Sequence, residues 1–183
     1  MTPFTTAGQE LLAEPRLPGC DFVTGLADRT TWETRLAQAS HQASRLRQPL
    51  CVAIVDLDNL RAVNEEHGRL AGDSLLRRAV KSWTRNIRST DGLMRLDAHE
   101  FGVLLPDCTP CTADRVLARM RDAMPEGESF SAGVAAWDAE EPATELLRRA
   151  REALCSAKKP WCAPVQVAGM PEYPATGQPR SRT

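Results

Sequence analysis

Asp97-Ala98-His99-Glu100 places three groups able to titrate or to bind a metal within four consecutive residues. Two apolar runs flank them, Leu-Met-Arg-Leu at 93–96 and Phe-Gly-Val-Leu-Leu at 101–105. That pattern predicts a β-hairpin whose turn carries the polar cluster. A hairpin that serves only to fold needs no such turn, so residues 97–100 are the first candidate site. A second lies upstream, where the apolar run 50–55 ends in Asp56, with Asp58 two residues on. The run reads as a central strand covered on both faces. Carboxylates at the C-terminal end of such a strand suit a divalent cation, which takes hard oxygen ligands. They would equally cap the next helix, a role that fits Asp58 better than Asp56. The third candidate is Cys108-Thr-Pro-Cys111, a C-x-x-C that follows a strand and opens a helix. This is the placement of a thioredoxin-type redox pair, whose thiol a helix N-terminus activates. It is also half of a zinc site, but no second C-x-x-C completes four ligands. The simpler reading is two small residues at a strand-to-helix turn, with neither thiol functional.

The elements that must position these groups follow from periodicity. Trp32, Leu36, Ala39, Ala43 and Leu46 predict an amphipathic helix over 30–47, opened by a capping box at Thr30 and Glu33. The strand 50–56 comes next, then a short helix over 58–66 that Gly68 and Gly72 break. A longer helix runs from near Asp73 to near Arg88, with Leu76, Ala79, Val80, Trp83 and Ile87 on one stripe. The hairpin 93–105 precedes a helix marked by Ala113, Val116, Leu117, Met120 and Met124. Residues 130–136 alternate as a strand, Pro142 opens a last helix, and 165–167 form an edge strand. Helices segregated against one mostly antiparallel sheet make an α+β domain. Its expected extent is 20–168, between a flexible segment 1–19 and a disordered tail 169–183 rich in Gly, Pro, Thr and Ser.

Composition narrows the function. A chain of 183 residues with a formal net charge of −1 gives no general attraction to nucleic acid or to anionic lipid. No apolar run reaches the length of a membrane span, and residues 1–10 lack the basic and apolar parts of a signal peptide. The expectation is a cytoplasmic protein with its six cysteines reduced.

Five pieces then line up in one order and spacing. They are Asp21 with Thr24-Gly25-Leu26 and Arg29; Asp56-Leu57-Asp58-Asn59-Leu60-Arg61-Ala62-Val63-Asn64; Gly72-Asp73; the hairpin; and Ser131-Ala132-Gly133-Val134-Ala135 with Ala157-Lys158 later. On these the chain, over roughly residues 21–160, resembles the GGDEF domain of diguanylate cyclases, which condense two GTP into cyclic di-GMP. The resemblance implies a ferredoxin-like, nucleotidyl cyclase-like fold. The signature G-G-D-E-F aligns with Asp97-Ala98-His99-Glu100-Phe101, of which only the last two positions match.

Each departure has a consequence. Asp97 adds negative charge near a triphosphate. Ala98 puts a Cβ where backbone must approach the nucleotide. His99 stands in place of an acid that, with Asp56 and the Leu57 carbonyl, would hold magnesium or manganese, and imidazole is a poor ligand for a hard cation. Glu100 keeps the carboxylate that helps bind metal and activate the 3′-hydroxyl. Asn64 and Asp73 match a guanine-recognising pair. Arg61 and Lys158 stand at phosphate-contacting positions, Arg61 in place of a lysine. Arg88-Ser89-Thr90-Asp91 matches the family's R-x-x-D inhibitory site for cyclic di-GMP. The expectation is a degenerate, inactive domain that binds cyclic di-GMP, GTP or both as a receptor or regulator, with a protein partner or a second copy of itself. The alternatives are an active cyclase with an altered metal site and a redox-responsive protein using the C-x-x-C pair.

Overall fold

The computed structural model describes residues 19–169 apart from Trp161. The expected terminal segments therefore lie, except for Gly19 and Gly169, outside the described residues. In chain order the elements are α1 (Arg29–Leu46), β1 (Leu50–Leu57), α2 (Leu60–His67), α3 (Arg69–Thr84), β2 (Gly92–Arg95), β3 (Glu100–Pro106), α4 (Pro110–Asp122), β4 (Phe130–Ala136), α5 (Ala143–Ala157) and β5 (Val165–Val167). The strands make one sheet of order β2-β3-β1-β4-β5. All pairings are antiparallel except that of β4 with β5. This is the α+β architecture that the sequence predicts.

The central place of β1 follows from its composition: all eight of its residues are buried. Side chains alternate across a strand, so its two sets serve two cores. Cys51, Ala53, Val55 and Leu57 face α3 and α4, where Trp83 meets Phe101 and Phe130 edge-on at 5.1 and 5.5 Å. Val52 and Ile54 face α1 and α5 with Trp32, Leu36, Leu146 and Leu154. Phe101, the last signature residue, is thus anchored against Trp83, and the turn before it inherits a fixed base.

On the α1/α5 face, Ile54 lies between Gly102 of β3 and Gly133 of β4. A Cβ on Gly102 would stand 2.6 Å from the Trp32 ring, and one on Gly133 would stand 2.1 Å from the Ala150 carbonyl and Leu154 amide. These two glycines let α1 and α5 sit directly on the sheet. Gly133→Ala is expected to cost about 1–3 kcal/mol or more, because helix backbone cannot yield to a methyl as a side chain can. Thermal unfolding checks this, and a variant as stable as the native chain would show that α5 moves freely over the sheet.

Three local features differ from the sequence expectation. The capping box at Thr30 does not form; Asp28 is the N-cap of α1 and accepts from the Thr31 amide at 3.0 Å. A carboxylate at that place is the stronger acceptor, so the helix begins one residue earlier. Gly68, at φ 82°, makes the break between α2 and α3 by itself. Gly72 lies inside α3, since the space its Cβ would fill is taken by Asn64 Oδ1, 2.0 Å away. Lastly, α3 ends at Thr84, so Arg88 and Asp91 belong to a loop and not to a helix end.

Candidate functional site

One step beyond the glycine row, on the same face of the sheet, the register aligns Glu100 of β3, Asp56 of β1 and Ser131 of β4. Two carboxylates directly opposite one another repel unless something neutralises them. Cations from the middle of α5 and its C-cap do so: Lys158 Nζ lies 2.8 Å from Asp56 Oδ2, and Arg151 Nη2 and Nε lie 2.7 and 3.2 Å from Glu100 Oε1. His99 Nε2 approaches the same oxygen, Asp56 Oδ2, to 3.5 Å.

Above Asp56 opens a cleft of about 950 Å³, lined among others by Leu57, Asp58, Arg61, Asn64, His99 and Lys158. Asp58 does not cap α2, whose N-cap is Asn59 with no side-chain cap hydrogen bond. Asp58 instead accepts from the hydroxyls of Ser129 at 2.7 Å and Ser131 at 3.1 Å. Arg61 is exposed and pairs with Glu65 one helical turn away. Such a surface pair holds weakly, which leaves the guanidinium able to turn toward a ligand.

Asn64 and Asp73 lie on the contacting helices α2 and α3. Asn64 lines the main cleft, and its buried Oδ1 has no hydrogen-bond partner. Asp73 lines a neighbouring cleft with Asp21, Arg69, Arg95 and Asp97. Ala98, which stands at the place of a signature glycine, borders both clefts.

The turn itself is tightly held. Asp97 accepts from the Ala98 amide at 2.7 Å, and the Leu57 amide donates to the His99 carbonyl at 3.0 Å. Arg95, which the motif reading passed over, donates to the carbonyls of Asp97 and Ala98 at 3.1 and 2.7 Å and pairs with Asp21 at 2.9 Å. Burial works to raise the Asp21 carboxyl, but hydrogen bonds from Thr24 and Arg95 outweigh it and hold the group below the ordinary carboxylate range.

Glu100 borders Asp56 in register and is paired with Arg151. The motif reading carried no signal for Arg151, which lies one residue past Ala150 of the buried stripe and is partly exposed. Among the described residues, no three His, Cys, Asp or Glu side chains cluster as metal ligands. At the positions of the expected metal ligands stand Asp56, paired with Lys158, Glu100, paired with Arg151, the Leu57 carbonyl and the His99 imidazole. That set does not fit a magnesium ion, which demands near-octahedral oxygen.

Arg88 and Asp91 form a closed loop. The Asp91 carboxylate accepts from the Arg88 amide at 2.8 Å, and the Arg88 carbonyl accepts from the Asp91 amide at 3.1 Å. The Arg88 side chain is exposed. Beside them the C-x-x-C pair splits: Cys108 is buried and Cys111 exposed, and both are free thiols. Cys51, not Cys111, is the neighbour of Cys108, and its Sγ donates to the Cys108 carbonyl at 3.0 Å. Contact with Cys108 and burial push the Cys51 thiol up. Replacing Cys108 and Cys111 together by serine is expected to leave nucleotide affinity unchanged in reducing and oxidising buffer. Calorimetry checks this; a redox-dependent affinity that the double variant loses would restore the redox reading.

Residues 19–160 match the family described as "Diguanylate cyclase, GGDEF domain". Diguanylate cyclase DgcP of Pseudomonas aeruginosa is 30% identical over 149 residues, covering 76% of this chain and 22% of that protein. The GGDEF domain of DgcB from Caulobacter crescentus, solved in complex with c-di-GMP, superposes with a TM-score of 0.80 over 86% of this chain and 100% of that one. At 21% identity that is a likeness of fold. Diguanylate cyclase SiaD of Pseudomonas aeruginosa, solved with its activator SiaC, gives a TM-score of 0.72 at 29% identity over 76% of this chain and 57% of that one. The chain spans 22%, 9% and 33% of the length of three curated relatives that it matches. No helix among the described residues is long and apolar enough to cross a membrane.

Proposed function

We propose that this chain, which belongs to the GGDEF family of diguanylate cyclases, acts as a guanine-nucleotide receptor or regulator and not as a cyclase, with residues 20–168 as its folded unit. One observation carries the reading. Both carboxylates at the place of the family's metal ligands, Asp56 and Glu100, are paired with cations of the protein's own, and the third position is His99. Phosphoryl transfer depends on positioning and on neutralising charge as it develops, work that falls largely to metal ions. A cleft whose donor set does not fit magnesium lacks that means, and Asp97 adds a further negative charge beside it.

The ligand proposed is cyclic di-GMP at Arg88 and Asp91. GTP is a second candidate, in the cleft, with Asn64 and Asp73 toward guanine and Arg61 and Lys158 toward phosphate. Two findings support this choice. Arg88 is exposed beside a loop that its own backbone and Asp91 hold in shape, and DgcB, of the same fold, is solved with c-di-GMP. A protein partner or a second copy of the chain completes the proposal, as SiaD is solved with SiaC. The deciding experiment is product analysis after incubation with GTP and either magnesium or manganese. Sustained formation of cyclic di-GMP would replace this reading with that of an active cyclase with an altered metal site.

A further inference from the structure

We infer that Arg151 is the internal counter-ion of Glu100, standing in place of a divalent cation, and that it keeps the cleft from accepting one. The inference deepens the reading above and rests on it for the roles of Asp56 and Glu100. It begins from the register: Glu100 and Asp56 are direct cross-strand partners, and both are largely shielded, their side chains 21% and 10% exposed. Two such carboxylates repel one another unless a positive charge lies nearby. A bound cation would be one solution.

This chain supplies another. Arg151 and Lys158 are seven residues apart, two helical turns, so they project from the same side of α5 and its end. Arg151 reaches Glu100, and Lys158 reaches Asp56. The close seat of α5 on Gly133 fixes the height from which both descend. The two cations are not equivalent. Lysine is a point charge on a flexible stem, which an incoming ligand can draw away. Arginine stays charged at every physiological pH, and here Nε and Nη2 both bond Glu100 Oε1. A metal at Glu100 would therefore have to compete with a permanent charge whose two N–H groups bond one carboxylate oxygen. This obstacle is separate from the signature substitutions, and restoring the signature leaves it in place.

The test uses the full chain and manganese alone, with no nucleotide, followed by the electron paramagnetic resonance of the free ion. The native protein is expected to bind no manganese at up to millimolar concentration. Arg151→Ala is expected to bind it at least tenfold more tightly, and Arg151→Lys, whose point charge an incoming ligand can draw away, to fall between the two. Micromolar binding by the native protein, or no gain in Arg151→Ala, would overturn the inference. Should the alanine variant fail to fold, Arg151→Gln, which keeps most of the stem, is read in its place by the same criteria. Because no nucleotide is present, either outcome is independent of whether the protein turns over GTP.

Discussion

Given GTP and magnesium, the native protein is expected to release no cyclic di-GMP. The reasoning is electrostatic. A metal ion contributes several kcal/mol to stabilising the charge that develops on a transferring phosphoryl group, which is roughly a thousandfold or more in rate. Here the oxygens that would hold it are Asp56, tied to Lys158, and Glu100, tied to Arg151. The residue between the strands is an imidazole, which prefers softer metals. Restoring the signature by Asp97→Gly, Ala98→Gly and His99→Asp removes three of the defects, the added charge, the Cβ at position 98 and the imidazole, but leaves Glu100 occupied. Turnover is therefore expected to be greater when Arg151→Ala is added to that triple variant than in the triple variant alone. Chromatography of the products decides the matter. Turnover by the native chain would refute the argument outright, and full recovery by the triple variant would assign the whole defect to the turn.

What the sequence revealed and what it hid divide along a physical line. Continuous burial leaves a continuous apolar run, so β1 and its central place were legible, as were the hairpin and the α5 stripe of Leu146, Ala150 and Leu154. The ordered motif pieces were legible because their chemistry needs fixed residue types at fixed spacing. Helix ends were less so. Whether Gly72 breaks a helix depends on Asn64, eight residues earlier, entering the space it leaves. Nothing within a local window states that. The ion pairs were hidden for a related reason. Arg151 and Glu100 are 51 residues apart, and Arg95 and Asp21 are 74 apart, so only the register of the sheet and the seat of α5 bring them together. The motif reading thus identified the ligand-bearing carboxylates, but not the cations that already satisfy them.

Cyclic di-GMP is expected to bind the native protein at micromolar concentration or below, and Arg88→Ala or Asp91→Ala to weaken that binding by roughly ten- to a hundredfold. The estimate takes a charge-assisted hydrogen bond at ~1–3 kcal/mol and converts it to affinity. Arg88 presents a planar fork suited to a phosphate or to the Hoogsteen edge of guanine, and Asp91 an acceptor for the guanine N1–H and N2–H. The structure bears on how the two substitutions should differ. Asp91 already accepts from the Arg88 amide, so its loss removes a ligand contact and also loosens the loop that carries Arg88. Arg88→Ala removes only the exposed fork. Asp91→Ala is therefore expected to be the more damaging, and Asp91→Asn, which keeps an acceptor for the Arg88 amide but loses the charge, to fall between native and alanine. Titration calorimetry on the four proteins resolves these ranks. A native protein that takes up no cyclic di-GMP would end the proposal of a receptor for that ligand. Native-like affinity in both alanine variants would move the site to the clefts that Ala98 borders, where Asn64 and Asp73 stand, and the same titrations with Asn64→Ala and Asp73→Ala would then locate it.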